Sequence, residues 1–238
     1  MFAQNKVLNG IARATRAREE ITAPLFKPNV SKLAAKGDYA GLLRALNYKR
    51  DQRVRADAAR ALGVAVSYRA VPALIEALND EYAFVRAAAA EALGQIADRD
   101  AMNPLIGALE DESDSVRKVA AIALGKVKER QAAPSLIGAL SDDEWVVRTA
   151  AAEALGELRD TRSVPPLIDA LSDPVYDVRA TAATSLGGLR DERAIEPLKK
   201  SLSDIIPPVR TAAALALKRL RGRGVRAKFR RIVQYGSR

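Results

Sequence analysis

Apolar and charged positions fall into a ten-residue pattern, Val-Arg-x-x-Ala-Ala-x-Ala-Leu-Gly, that opens at Val54. It returns at Val85, Val116, Val147, Val178 and Val209, each 31 residues after the last, and the sixth copy ends Leu217-Lys218 in place of Leu-Gly. An unbroken period of this length marks a chain of stacked structural units. Within one unit, Leu74, Ile75 and Leu78 form the apolar stripe of a short helix opened by Pro72, where proline is tolerated, and Asn79-Asp80 closes it. A second helix is predicted from about Ala83 to Ile96, because Val85, Ala88, Ala89, Ala92, Leu93 and Ile96 share one face. Short polar runs such as Asp98-Arg99-Asp100 join successive units. Two helices of this size cannot bury their apolar faces against each other alone, so the units must stack. The expected fold is all-α, an α-solenoid of about six stacked antiparallel helix pairs with terminal caps. Residues 39–220 form the repeats, residues 1–38 an N-terminal cap or arm, and residues 221–238 a basic C-terminal cap helix or tail.

A second anchor recurs at Asp80, Asp111, Asp142, Asp173 and Asp204, while the first copy has an extra residue in that loop and no matching Asp. Pro-Leu-Ile-x-Ala-Leu, then Asp, then Val-Arg-x-x-Ala-Ala-x-Ala-Leu-Gly resembles the short HEAT-like repeat of the phycobilisome-lyase type. The resemblance spans about residues 40–220. It implies a structural, hydrogen-bonded ladder along the stack from Asp80 and Arg86, Asp111 and Arg117, Asp142 and Arg148, Asp173 and Arg179, and Asp204 and Arg210. Such a motif specifies a fold and leaves function open. Bilin handling, the chemistry of the lyases themselves, is a further possibility the resemblance implies.

Charge distinguishes the ends from the body. Residues 1–38, 39–204 and 205–238 carry net charges of +4, −4 and +10, within a total of +10 over 238 residues once the negative body is counted. Lys218, Arg219, Arg221, Arg223, Arg226, Lys228, Arg230 and Arg231 make the C-terminal block, an electrostatic footprint for nucleic acid, another polyanion or an acidic surface. The same block also reads as a solubilising cap, with Val225, Phe229, Ile232 and Val233 packing a last helix over the stack after Gly222 and Gly224 break the one before. At the other end, Gly37 suits a helix stop and Asp38 an N-cap for a helix at Tyr39 to Leu46. A loose apolar pattern at Phe2, Leu8, Ile11 and Ile21 suits a cap helix or a docking arm.

If the second helices line the concave face, as the resemblance implies, their non-core positions carry recognition. Phe84, Trp145 and Tyr176 stand just before the Val-Arg step, where the core demands no large side chain, and are expected to anchor a protein partner. Folding back over the groove between repeats is the other reading of each ring. Arg53, Arg60, Glu91, Lys118, Glu153 and Asp177, with Ile122, complete the candidate face. Basic and acidic groups are nearly balanced there, five against six, counting also Lys126, Arg219, Glu157, Asp57 and Asp114. A duplex-wrapping groove needs an excess of phosphate neutralisers. The mixed face therefore points to a protein or peptide.

Catalytic signals are few. The chain has no His and no Cys, which removes the commonest general base, the thiolate nucleophile and the zinc-thiolate site. It lacks phosphate-cradling glycine motifs, and the run Glu110-Asp111-Glu112-Ser113-Asp114 lacks the glycine and spacing of a calcium loop. No cofactor and no enzymatic activity are expected. The N-terminus lacks the apolar core of a secretory signal and no stretch is long enough to span a bilayer, so the expected setting is the cytoplasm.

Overall fold

The computed structural model describes residues 27–220. Among them are thirteen α-helices and no strands. Helix α1 (Val30–Ala35) precedes six pairs: α2 (Tyr39–Leu46) with α3 (Gln52–Val64), α4 (Val71–Ala77) with α5 (Ala83–Ile96), α6 (Met102–Gly107) with α7 (Asp114–Val127), α8 (Ala133–Ala139) with α9 (Trp145–Leu158), α10 (Val164–Asp169) with α11 (Tyr176–Leu189), and α12 (Ile195–Ser201) with α13, at 207–220. The apolar pattern at residues 2–21 and the cap helix expected over 221–238 lie outside the described residues.

Each boundary has a local cause. Asn29 caps α1 and Asp38 caps α2, each side chain accepting from a backbone N–H three residues on, and Gly37 turns the chain between them at φ +64°. Prolines at the first or second position open α4, α8 and α10, where the missing N–H has no helical partner to lose. The second helices end differently. Val66, Ala97, Lys128, Arg159 and Arg190 all follow them with left-handed φ of 47–60°, a conformation unfavourable for residues with a Cβ. At Ala97, Lys128 and Arg190 the N–H is thereby returned to the carbonyl of the repeat leucine, Leu93, Leu124 or Leu186.

The core is one continuous column. Each first helix contributes a fully buried leucine (Leu42, Leu74, Leu105, Leu136, Leu167, Leu198), and each second helix a buried valine and leucine from the repeat motif. Second helices pack on one another far more closely than first helices do. Small residues permit this approach: a Cβ on Gly94 would stand 2.8 Å from the Cα of Ala123 in the next repeat. At the equivalent contact of Gly156 the neighbour is Ser185, whose buried hydroxyl donates to the Ala152 carbonyl at 2.8 Å. Lys218 occupies the glycine's place in the sixth repeat, and it is exposed.

Arginines bind the repeats together, and the register of the ladder differs from a pairing within each repeat. Each guanidinium reaches the carboxylate of the following repeat in bidentate fashion: Arg55 with Asp80, Arg86 with Asp111, Arg117 with Asp142, Arg148 with Asp173 and Arg179 with Asp204, at 2.7–3.1 Å. The remaining guanidinium nitrogen donates backward to the backbone carbonyl of the aspartate in its own repeat, as Arg86 does to Asp80 O at 2.9 Å. In the first repeat the loop is one residue longer, and Arg55 donates to Tyr48 O instead. Arg210, in the last described helix, keeps only the backward bonds, to Asp204 O and Ile205 O. Each ladder aspartate also accepts from the N–H two residues on, shaping the turn into the second helix. A lesser brace crosses the turns between repeats, where Arg162 donates to Arg130 O and Arg193 to Thr161 O.

Ladder side chains are only 9–17% exposed. The Arg117 and Arg179 guanidinium groups hold the Asp142 and Asp204 carboxyls below their ordinary range. Burial pushes Asp80, Asp111 and Asp173 upward, and the arginine and backbone N–H partners together overcome it, so they too end lowered. A lowered carboxyl binds its proton less well folded than unfolded, so its stabilisation is full above the ordinary aspartate range near pH 4 and disappears as pH falls through the folded values. Acid titration followed by circular dichroism should therefore show stability falling below about pH 4. Asp142→Ala, which strands Arg117, should cost about 3 kcal/mol in urea denaturation, and the double replacement Asp142→Ala/Arg117→Met distinctly less. Gly94→Ala should lower stability although alanine is the better helix former by about 1 kcal/mol, because α5 and α7 must separate; a gain in the urea midpoint would contradict this packing.

Candidate functional site

The candidate residues divide between two places on the second helices. Towards their C-terminal ends, α5, α7 and α9 leave a cleft of about 570 Å³. Ile122 and Ala150 supply apolar surface, and Lys126, Lys128, Glu153 and Glu157 stand around it with Gly94 and Gln95. Glycine and alanine spacing creates the space, since no side chain projects from Gly94 or Gly125 into it. The charges cross-link neighbouring repeats only loosely: Lys128 Nζ lies 3.8 Å from Glu157, and Arg60, further along the same face, lies 3.3 Å from Asp57 and 3.9 Å from Glu91. Lys126 has no ion-pair partner among the described residues.

The rings lie at the other end. Trp145 and Tyr176 are the first residues of α9 and α11, and Phe84 is the second of α5. A rise of 1.5 Å per residue puts Trp145 about 18 Å along the helix from Glu157. The cleft and the rings are therefore separate surfaces, and of the predicted face Ile122 and Glu153, with Lys126 and Glu157, line the cleft. The exposures of Phe84, Trp145 and Tyr176 are 40%, 42% and 43%. Tyr82, absent from the sequence-based set, is 38% exposed and tilts against Phe84 with ring centroids 6.0 Å apart. The Arg55 guanidinium lies over the Tyr82 ring at 5.6 Å. Arg53 and Lys118 are exposed on the same side, and Asp177 half-buried.

Of the C-terminal basic block, Lys218 and Arg219 are exposed at the end of α13; Arg221, Arg223, Arg226, Lys228, Arg230 and Arg231 lie outside the described residues. Among the described residues no group of three or more carboxylates is placed to hold a metal ion, and no helix is long and apolar enough to cross a membrane.

Stacked two-helix units, a shared core and an inter-repeat ladder define an α-solenoid repeat protein. A model of HEAT repeats matches residues 39–118, 102–178 and 164–237, and the chain belongs to the HEAT-repeat family. Among solved structures, YibA of Escherichia coli is 26% identical with a TM-score of 0.58, covering 79% of this chain and 77% of its own. The CpcE–CpcF complex of phycocyanin lyase from Nostoc is 24% identical, with a TM-score of 0.51, over 79% of this chain and 85% of that one. A designed armadillo repeat protein in complex with the peptide (KR)4 is 20% identical, with a TM-score of 0.56, over 75% of this chain and 98% of its own. No curated protein matches the chain.

Ile122 is partly buried against the core, and Ile122→Ala should cost about 1 kcal/mol. Glu153 and Trp145 are exposed, so Glu153→Ala and Trp145→Ala should each change unfolding stability by no more than about 0.5 kcal/mol. A loss several times larger in urea denaturation would show that the residue serves packing.

Proposed function

We propose that the chain is a non-enzymatic adaptor that binds a protein or peptide segment along the second-helix side of its solenoid. Closer packing of the second helices supports reading their side as the inner, concave one. The observation that carries the reading is the cleft between α5, α7 and α9, apolar at Ile122 and Ala150 and bordered by charges of both signs. That composition suits a side chain inserted from a partner and selected by polar neighbours. The designed armadillo protein, which shares the stacked architecture, holds a peptide, and this supports a polypeptide ligand here. A non-enzymatic role is supported by a chain without His or Cys whose lowered carboxyls belong mainly to structural ion pairs.

A second reading, polyanion binding at the C-terminal end, is favoured by ten Lys and Arg and no Asp or Glu over residues 205–238. Affinity capture from lysate, with and without nuclease, separates the two. The adaptor reading expects a discrete protein that survives nuclease and is lost from Ile122→Arg/Glu153→Arg or from the triple variant Phe84→Ala/Trp145→Ala/Tyr176→Ala. Retention of every partner by both variants would sink it. Nuclease-sensitive material lost on truncation after Leu220, with affinity falling steeply in salt, would establish the second reading in its place.

A further inference from the structure

The turns that lead into the second helices of repeats two to five have a distinctive chemistry. Residues 79–84, 110–115, 141–146 and 172–177 contain no Lys or Arg. Their ladder aspartates are neutralised by the arginines of the preceding repeats. That leaves Glu110, Asp114, Asp143, Glu144 and Asp177 outside the ladder, while Glu81 and Glu112 touch ladder arginines (Arg55 at 3.5 Å, Arg86 at 3.1 Å) yet are 71% and 86% exposed. Among these carboxylates stand the half-exposed rings of Tyr82, Phe84, Trp145 and Tyr176. Rings of this kind seldom stand in a row on a surface without a partner. One of them already carries a guanidinium, since Arg55 covers Tyr82.

We infer that this edge is a docking surface for a Lys- or Arg-rich segment of a partner protein, held in an extended conformation. The inference rests on the adaptor reading and gives its partner a chemistry. A cation over an aromatic face gains from the ring's quadrupole, and the carboxylates beside each ring supply the charge complement. Asp143 and Glu144 immediately precede Trp145, and Asp177 follows Tyr176. Trp145 and Tyr176 occupy the same position in adjacent repeats, about 10 Å apart at usual helix spacings. An extended chain advances about 3.4 Å per residue, so cations three residues apart meet successive rings.

Trp145 is the only tryptophan, so its emission reports on this edge directly. The full chain is titrated with a fluorescein-labelled peptide of repeated Arg-Gly-Gly units, with a matching Glu-Gly-Gly peptide as control. Binding of the basic peptide alone is expected, with a change in Trp145 emission and weakening as salt screens the charges. Trp145→Ala/Tyr176→Ala should weaken binding about ten-fold, as loss of two exposed cation–π contacts implies. Asp143→Asn/Glu144→Gln/Asp177→Asn, which leaves rings and ladder intact, should weaken it comparably, and Ile122→Arg not at all, each variant being checked for native circular dichroism. No preference for the basic peptide, or equal affinity in both edge variants, overturns the inference. If a captured partner is lost from the cleft variant while the basic peptide does not bind, only this inference fails; if no second-helix variant affects capture, the adaptor reading fails with it.

Discussion

The inter-repeat Arg–Asp ladder is the interaction on which the rest of the molecule depends. One guanidinium fixes three things at once: the carboxylate of the next repeat, the backbone carbonyl of its own turn, and through that carboxylate the N–H that starts the next second helix. Taking such a pair out of water is costly, and bidentate geometry with further hydrogen bonds to both partners offsets that cost. Its larger effect is on register. An apolar column of similar leucines and valines could slide by a helical turn with little loss, whereas a fork-to-carboxylate pair tolerates no such slip.

Close packing of the second helices is the complementary constraint. Gly94 against Ala123, and the same contact repeated along the stack, holds these helices nearer together than the leucine-bearing first helices. A larger residue at the Gly94 position would push the next second helix away, since the Cβ of an alanine there would already stand 2.8 Å from Ala123 Cα. Ladder and glycine contacts thus consume one stripe of each second helix, and the positions facing away from both are free of packing demands.

Much of this was legible in the sequence because a repeat multiplies every weak local signal. The boundaries of α2, α5 and the paired helices followed from apolar spacing, prolines and caps. The ladder's register did not, since a 31-residue period is equally compatible with bonds from Arg86 to Asp80 or to Asp111; in the structure it makes one with the backbone of the first and the other with the side chain of the second. Left-handed residues at Ala97, Lys128, Arg159 and Arg190 were hidden as well, because none is glycine and tertiary stacking overrides the local preference. For the site, helical periodicity reported which way a residue faces and grouped Trp145 with Glu153. Height along the axis, which the same numbering contains, separates them by most of a helix.

That separation bears on how a rigid stack can recognise a long, irregular partner. A cleft near the C-terminal ends of α5, α7 and α9 and a row of rings at the N-terminal ends of α5, α9 and α11 are held in fixed relation by the ladder, which runs along the ring-bearing edge. Neither surface needs to move for both to be engaged. Binding at one then places the partner's chain at high effective concentration near the other, provided the connecting residues can span the width of a second helix. An extended segment needs about six residues to cross the roughly 20 Å of such a helix. On the proposed function, partners whose apolar and basic elements are closer together than this would have to choose one surface, so the width of the helix layer itself would act as a filter on the sequences the solenoid could hold.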